Sequence, residues 1–131
     1  MIVGIGIDRI AIARIEAVLN RHGERFIARV FTDKETVQAR TKGNPARRFA
    51  MLFAAKEAVS KALGTGFRQG VSLKNIETIH QASGKPEITL HAGAKKRAQL
   101  LHIDRVHVSL TDDDGVAMAF AVAETMMDGQ A

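Results

Sequence analysis

Two carboxylates and a lysine are the side chains of this sequence best suited to phosphate chemistry. Asp8 follows a strand-like segment, and Glu57 and Lys61 lie four residues apart in a long helical segment. Because residues four apart share one face of a helix, Lys61 lies one turn beyond Glu57. Carboxylates without neighbouring His or Cys suit a hard, oxygen-preferring cation such as Mg²⁺ rather than zinc. The three groups converge on one site if the helix packs over the strand.

An ordinary salt bridge is the competing interpretation. Glu57 can pair with Lys61, or Lys56 can reach a carboxylate elsewhere, because pairs at this spacing are common on helices. The residues around them are apolar on nearly every side, and an ion in such surroundings has to be paired or coordinated. The residue pattern therefore leaves the structural and the functional interpretation open.

The segment Gly64-Thr65-Gly66 comes immediately after the same helix. Glycine permits positive φ and a close approach of backbone amides to a phosphate. The segment also suits a simple helix cap followed by a turn. Neither Gly4-x-Gly6 nor Gly64-x-Gly66 completes a Rossmann or P-loop signature, so nucleotide binding of those two types has no support.

Periodicity predicts the elements that must position these groups. The helix that carries Glu57 is predicted over 45–63, with Asn44 as its N-cap, Pro45 in its first turn and Gly64 as its terminator. Further helices are predicted over 12–22, from the capping box of Thr32 and Glu35 toward Arg40, and over 92–101. Strands are predicted over 2–7, 76–80, 87–90, 106–110 and 116–123. Together they indicate a single α+β domain whose mostly antiparallel sheet packs on the long central helix.

Alternation within the two terminal strands predicts which of their faces are buried. In 2–7 the aliphatic face, which includes Ile5 and Ile7, is expected in the core, and the glycine face is expected to be bare up to Asp8. In 116–123 large residues occupy one face and alanines the other, so another element can approach the alanine face closely. That face is a candidate for contact with another subunit or for burial inside the chain.

Length and composition limit the class of protein. The chain has 131 residues, and domains usually contain roughly 100–150. Hydrophobic residues make up 46% and charged residues 25%, so the chain can bury a core. A net charge of +5 favours polyanionic partners. Without cysteine there are no disulfides or thiolate metal sites, and the N-terminus resembles neither a signal peptide nor a membrane span, so a cytoplasmic protein without membrane contact is expected.

Six blocks of the sequence carry a resemblance to a known family. They are Gly4-Ile5-Gly6-Ile7-Asp8, Arg29-Val30-Phe31-Thr32 with Glu35, Phe53-Ala54-Ala55-Lys56-Glu57-Ala58, Lys61-Ala62-Leu63-Gly64-Thr65-Gly66, Ser83-Gly84-Lys85-Pro86 and His107-Val108-Ser109-Leu110. In this order along nearly the whole chain, they resemble the holo-acyl-carrier-protein synthases, the small class of 4′-phosphopantetheinyl transferases. The resemblance implies the fold of that class.

The resemblance also implies an activity and its metal. Such enzymes move 4′-phosphopantetheine from coenzyme A to a serine of apo-acyl carrier protein, in support of fatty acid biosynthesis, and release adenosine 3′,5′-bisphosphate. By motif, Asp8 and Glu57 become the Mg²⁺ ligands, and Lys61 neutralises a phosphate oxygen. Glu57, directly or through a metal-bound water, is the expected base.

A coenzyme site and two kinds of protein contact follow from the same resemblance. The implied coenzyme-binding residues are Arg48, Lys61, Gly64, Thr65, Gly66, Lys85, Pro86 and His107. The family typically forms a homotrimer with these sites between neighbouring subunits. Arg14, Arg21 and Arg25, which would share one ridge on a continuous helix, are the expected docking surface for the acidic carrier protein.

Two departures from the family pattern stand out. Many relatives have arginine where this chain has Leu52, and histidine where it has Asp112. The first departure removes a phosphate contact, and the second excludes any mechanism that requires an imidazole at position 112. A function of another class, a non-catalytic basic module that binds nucleic acid, has only the net charge in its favour, and aromatic stacking platforms are few in a chain with no Trp, no Tyr and six Phe.

Overall fold

The computed structural model describes residues 1–127 as helices and strands that pack around one long helix. Along the chain they are β1 (Ile2–Ala11), α1 (Ile12–His22), α2 (Glu24–Val30), α3 (Asp33–Thr41), α4 (Pro45–Ala62), a 3-10 turn (Leu73–Asn75), β2 (Ile76–His80), β3 (Pro86–Leu90), α5 (Ala92–Leu100), β4 (Arg105–Asp113) and β5 (Val116–Glu124). β1, β5 and β4 form an antiparallel sheet in that order, and β2 pairs with β3 antiparallel. The predicted α+β class with antiparallel strands is confirmed.

The central helix α4 forms because the sequence places good start and stop signals around it. Asn44 Oδ1 accepts a hydrogen bond from the Arg47 backbone N–H at 3.3 Å, and Pro45 occupies the first turn. Nothing interrupts the helix before Gly64, whose φ of +79° ends it. The helix packs on β1, β5 and β2 and so contributes to the core beneath both sheets.

The prediction for the buried face of β1 is wrong, because the glycine face is the one that packs. A Cβ at Gly4 or Gly6 would lie 2.1 or 1.9 Å from a backbone carbonyl oxygen of α4, which no real side chain tolerates. Glycine therefore lets the strand backbone lie directly on the helix backbone. The aliphatic residues of the other face remain exposed, with Ile5 at 61% and Ile7 at 64% relative exposure.

The alanine face of β5 is buried inside the chain. Its residues Ala117, Ala119, Ala121 and Ala123 are almost fully buried. They share a face with the glycines of β1 and pack with them on α4. This face was expected either to contact another subunit or to be buried inside the chain, and the second expectation is correct. The opposite face of the sheet, where Phe120 lies between Ile7 and Ser109, is the exposed one.

The helix that carries Arg14 and Arg21 ends at the break that the sequence predicts near Gly23. Gly23 adopts a φ of +50° and separates α1 from α2. Arg14 and Arg21 lie two turns apart on α1, whereas Arg25 lies on α2. The sequence did not reveal α2 because no side chain caps its start.

The remaining predicted elements are present. Thr32 and Glu35 form the expected capping box at the start of α3, with the two side chains and the two backbone N–H groups bonded reciprocally at 3.0 and 3.2 Å. β4 extends beyond its predicted end to the β4–β5 hairpin, where Asp114 and Gly115 both adopt positive φ. Within residues 1–127, none of the helices combines the length and the apolar character that crossing a membrane requires.

Candidate active site

Asp8, Glu57 and Lys61 meet at the line of contact between β1 and α4. Lys61 Nζ lies 3.3 Å from Asp8 Oδ1 and donates a hydrogen bond to the Ile7 backbone carbonyl at 2.9 Å. Asp8 and Glu57 line the same cleft. Asp8 lies on the glycine face of β1, so the close approach of α4 brings Glu57 and Lys61 over it. The convergence expected from the sequence is therefore present in the fold.

Glu57 lies in an unfavourable environment for its negative charge. Burial raises the pKa of Glu57, the nearby charge of Asp8 raises it further, and Lys61 and Arg14 oppose both effects. Two carboxylates held this close form a site with an excess of oxygen ligands. Such a pair suits Mg²⁺, which takes one or two protein carboxylates and completes its octahedron with waters and phosphate oxygens. Among the described residues, no group of three or more His, Cys, Asp or Glu is arranged to hold a metal.

The cleft beside these carboxylates has an apolar wall that the sequence analysis did not find. It has a volume of about 240 Å³. Phe26 of α2 and Phe53 of α4 line it together with Arg14, Asp8 and Glu57. The two rings lie 6.3 Å apart between centroids. The wall depends on α2, so a sequence analysis that misses this helix misses the wall as well.

The Gly64-Thr65-Gly66 segment caps α4 with its own backbone. The N–H of Gly64 donates to the Lys61 carbonyl at 2.9 Å, and those of Thr65 and Gly66 donate to the Ser60 carbonyl at 3.3 and 3.1 Å. Gly64 and Gly66 both adopt positive φ. These three amides are therefore engaged within the chain, and the helix-cap interpretation is correct for the backbone. The coenzyme contact of Gly64, Thr65 and Gly66 stays a prediction.

Lys85, Pro86 and His107 gather in a second, larger groove of about 590 Å³ between β3, α5 and β4. His107 Nε2 lies 3.0 Å from Glu124 Oε1. His107 stands opposite Val122, whereas Asp8 stands opposite Ala119, and residues an odd number apart on a strand point to opposite faces. The sheet thus separates His107 from the carboxylates within one chain.

Lys56, the neighbour of Glu57, belongs to a different cluster. Lys56 Nζ lies 2.7 Å from Glu35 Oε1 and donates to the carbonyls of Leu73 and Ile76 at 3.0 and 2.6 Å. Glu35 Oε2 accepts from the Thr78 backbone N–H at 2.9 Å. Both charged side chains are fully buried. The structural interpretation is therefore correct for Lys56, while Lys61 pairs with Asp8 and forms no salt bridge with Glu57.

Comparison with known proteins identifies the family. Residues 4–121 match the model of the 4′-phosphopantetheinyl transferase superfamily. The chain belongs to that superfamily. It is 44% identical over 125 residues to the holo-[acyl-carrier-protein] synthase of Halorhodospira halophila, covering 95% of this chain and 99% of that protein. It is 48% identical over 130 residues to the synthase of Methylobacterium radiotolerans, covering 96% of each. The resemblance expected from the sequence blocks is confirmed.

Solved structures of transferases from this family share the fold. The holo-[acyl-carrier-protein] synthase of Neisseria meningitidis superposes with a TM-score of 0.88 at 39% identity, covering 95% of this chain and 100% of that chain. The Helicobacter pylori synthase, solved in complex with coenzyme A, superposes with a TM-score of 0.81 at 33% identity, covering 92% and 99%. The expected transferase fold is therefore present.

The positions where this transferase departs from the family pattern have structural partners of their own. Leu52 is 3% exposed and packs in the core, so this position does not present a charge to solvent. Asp112 forms a salt bridge with Arg47 at 2.6 Å. Arg48 lines a small cavity of about 110 Å³ with Gln38 and His80. Its coenzyme role stays a prediction.

The three arginines of the predicted docking ridge are all exposed. Arg14 lines the cleft beside Glu57, and its charge acts on that carboxylate. Arg21 follows two turns later on α1, and Arg25 lies beyond the break at Gly23. The three arginines thus lie on two adjacent helices, α1 and α2, rather than along one helix.

Proposed function

We propose that this chain transfers 4′-phosphopantetheine from coenzyme A to a serine hydroxyl of apo-acyl carrier protein and releases adenosine 3′,5′-bisphosphate. One observation carries the proposal: Asp8, Glu57 and Lys61 meet at an accessible cleft in a chain that belongs to the phosphopantetheinyl transferases. Relatives that cover nearly the whole chain are named holo-[acyl-carrier-protein] synthase, and one of their structures contains coenzyme A.

The chemistry is the displacement of one phosphate ester from a diphosphate. The serine oxygen forms a bond to the phosphorus that carries the pantetheine arm, and the bond from that phosphorus to the bridging oxygen breaks. Glu57 lines the cleft and is the residue proposed to accept the serine proton. Lys61, half exposed beside Asp8, neutralises charge on a phosphate oxygen.

Asp8 and Glu57 are the residues that would hold Mg²⁺. Their oxygens are hard ligands, and because burial and the charge of Asp8 both raise the pKa of Glu57, a bound cation would stabilise its charged form. When bound, Mg²⁺ supplies a positive charge that neutralises the diphosphate. Lys61 lies beside Asp8, and its ammonium would neutralise a phosphate oxygen in the loaded site.

We also propose that three copies assemble through the exposed face of the β1-β5-β4 sheet. Ile5, Ile7 and Phe120 are large apolar residues of this face with relative exposures of 61%, 64% and 43%. Apolar patches of this kind mark interaction sites. His107 lies on the same face. A coenzyme site between copies, as the resemblance implies, would combine His107, Lys85 and Pro86 of one copy with the carboxylates of its neighbour, which a single chain keeps apart.

Carrier recognition is proposed to use Arg14, Arg21 and Arg25. Arg14 lines the cleft, Arg21 and Arg25 are exposed on α1 and α2, and their positive charges complement an acidic helical protein. A role in fatty acid biosynthesis and a cytoplasmic location stay predictions of the sequence.

The deciding experiment is a transfer assay. The protein is incubated with coenzyme A, Mg²⁺ and an apo-acyl carrier protein, and the carrier is weighed by mass spectrometry. We expect a mass gain of one phosphopantetheine, which disappears when the acceptor serine is replaced by alanine or when the metal is chelated. No gain with any carrier would overturn the proposal. Salt-dependent binding of nucleic acid without binding of coenzyme A would support the competing basic module instead.

A further inference from the structure

Arg97 of α5 reaches across to the end of α4. Its Nε donates a hydrogen bond to the Leu63 carbonyl at 3.1 Å, joining residues 34 positions apart in the sequence. Leu63 is the C-cap of α4. The last carbonyls of a helix have no partner within the helix, and a cation beside them is favourable. This bond therefore fixes the Arg97 side chain in one orientation.

The fixed guanidinium lies against Gly64. A Cβ built on Gly64 would be 3.5 Å from Arg97 Nη2, which is ordinary van der Waals contact. Arg97 is half buried, and within residues 1–127 its side chain forms no salt bridge and no hydrogen bond other than the one from Nε. Its Nη groups and its full positive charge are thus available beside the Gly64–Gly66 segment.

The backbone of the same segment cannot supply those donors. The N–H groups of Gly64, Thr65 and Gly66 are all bonded to carbonyls of α4. Any anion that approaches this surface therefore meets a side-chain donor, and Arg97 is the cation that contacts Gly64. Guanidinium groups bind phosphate oxygens with two N–H groups in a fixed geometry, which an amide cap cannot do once it is satisfied.

A second contact from α5 keeps this surface in place. A Cβ on Gly93 would lie 1.8 Å from the Gly70 carbonyl oxygen, so the backbone of α5 touches the far end of the loop that begins at Gly64. Val71, Ala94 and Ala98 are buried together in the core between these contacts. The Arg97 guanidinium is consequently held over Gly64 by a rigid support.

We propose that Arg97 is a coenzyme-binding residue whose Nη groups meet a phosphate oxygen of coenzyme A at the Gly64–Gly66 segment. The proposal rests on the proposed function, since it assigns a new contact to the same ligand. In this proposal the preoriented guanidinium of Arg97 donates to the phosphate, and the engaged amides of the segment do not. It also explains why the glycine at position 64 is useful beyond its positive φ: a side chain there would stand beside the guanidinium and narrow access to it.

The test measures coenzyme A binding by calorimetry on the folded, full-length protein. Arg97→Met should weaken the affinity for coenzyme A about tenfold, because it removes a hydrogen bond to a charged group. Arg97→Lys should lose less, because it retains the charge. Lys96→Met is the matched control: it removes the same charge from the next position of α5, which is exposed, and should bind like the wild type.

Amide hydrogen exchange at Thr65 and Gly66 separates binding from simple support of the loop. If Arg97→Met speeds this exchange and leaves the coenzyme affinity equal to that of Lys96→Met, Arg97 is only a helix cap and the proposal is overturned. If the wild type transfers phosphopantetheine while Arg97→Met binds coenzyme A normally, the inference fails and the proposed function survives. If the wild type neither binds coenzyme A nor transfers phosphopantetheine, both fail.

Discussion

Two lysines of α4, only five residues apart, form ion pairs of opposite character. Lys56 and Glu35 are both 0% exposed at the side chain, and their charged atoms lie 2.7 Å apart. Lys61 is 51% exposed, Asp8 is 15% exposed, and their charged atoms lie 3.3 Å apart. One pair is closed to solvent, and the other opens into a cleft.

The two clusters also differ in how many of their hydrogen-bonding groups are already used. All three donors of the Lys56 ammonium are engaged, by Glu35 and by the carbonyls of Leu73 and Ile76. In the other cluster, burial and then the nearby charge of Asp8 raise the pKa of the Glu57 carboxyl. A saturated cluster can only hold structure together, whereas an unsaturated one has ligand positions to offer. Burial together with saturation therefore separates the structural ion pair from the pair that is proposed to act in catalysis.

The largest effect is expected from Glu57→Gln. Loss of the base and of one metal ligand should lower the rate of transfer by about 10³-fold or more. Stability should be unchanged or slightly higher, because the substitution removes a carboxylate whose charge is disfavoured by burial and by Asp8. Transfer is followed by carrier mass, and unfolding by urea. Transfer at the wild-type rate would refute the assignment, and Glu16→Gln on the exposed surface of α1 serves as the control.

Lys56→Met, in contrast to Glu57→Gln, is expected to act mainly on stability. It leaves Glu35 buried without its cation and should lower the free energy of unfolding by about 3–5 kcal/mol. Lys61→Met should change the free energy of unfolding by less than about 1 kcal/mol, because exposed pairs contribute little, while it slows transfer. Both values come from urea denaturation.

A double variant tests whether the uncompensated charge of Glu35 causes the loss of stability in Lys56→Met. Lys56→Met combined with Glu35→Leu removes both ions and should recover part of the lost stability. Recovery should be incomplete, because the backbone N–H groups of Thr32 and Thr78 lose their acceptor. Equal stability losses for Lys56→Met and Lys61→Met would remove the distinction between the two clusters.

Much of this arrangement is predictable from local signals. Asn44 and Pro45 start α4, Gly64 ends it, and the four-residue spacing of Glu57 and Lys61 places them on one face. These signals act within a few residues, so the sequence displays them directly. The convergence with Asp8 needed only the further assumption that α4 packs on β1.

The features that the sequence did not predict depend on contacts between distant elements. Alternation defines two faces of β1 but does not say which one is buried. Because α4 packs closely on Gly4 and Gly6, the glycine face is buried and the aliphatic face is exposed. The partner of Lys56 lies 21 residues away on α3, and no local pattern links the two. α2 lacks a capping side chain, so the sequence does not mark its start.

A smaller effect is expected at the entrance to the accessible cluster. Arg14→Glu should raise the apparent KM for the carrier protein about tenfold and leave the affinity for coenzyme A nearly unchanged, because it reverses an exposed charge beside the cleft. The effect should diminish as salt is added. Lys96→Glu, which reverses a charge on α5, should leave the carrier KM unchanged. An equal loss of coenzyme affinity in Arg14→Glu would show that this arginine belongs to the coenzyme site.

The smallest effect concerns acid stability at the edge of the buried cluster. Burial alone would raise the pKa of Glu77, but hydrogen bonds from Thr32 and His91 outweigh it and lower the pKa. Thr32 Oγ1 donates to Glu77 Oε2 at 2.5 Å, and His91 Nε2 lies 3.1 Å from Oε1. This direction is opposite to that at Glu57, so pH offers a second way to distinguish the clusters.

The sign of this pH dependence follows from proton binding. Below the ordinary glutamate pKa of about 4.3, the unfolded chain binds a proton at Glu77 that the folded chain does not. The stability that Glu77 contributes is therefore present above that pH and is lost as the pH falls through the lowered folded value. Glu77→Gln should reduce this acid limb, the fall in the free energy of unfolding at low pH, in urea denaturations at a series of pH values. Glu16→Gln should leave it unchanged. An acid limb as steep in Glu77→Gln as in the wild type would assign the limb to other carboxylates, because only a group whose pKa falls on folding can produce it.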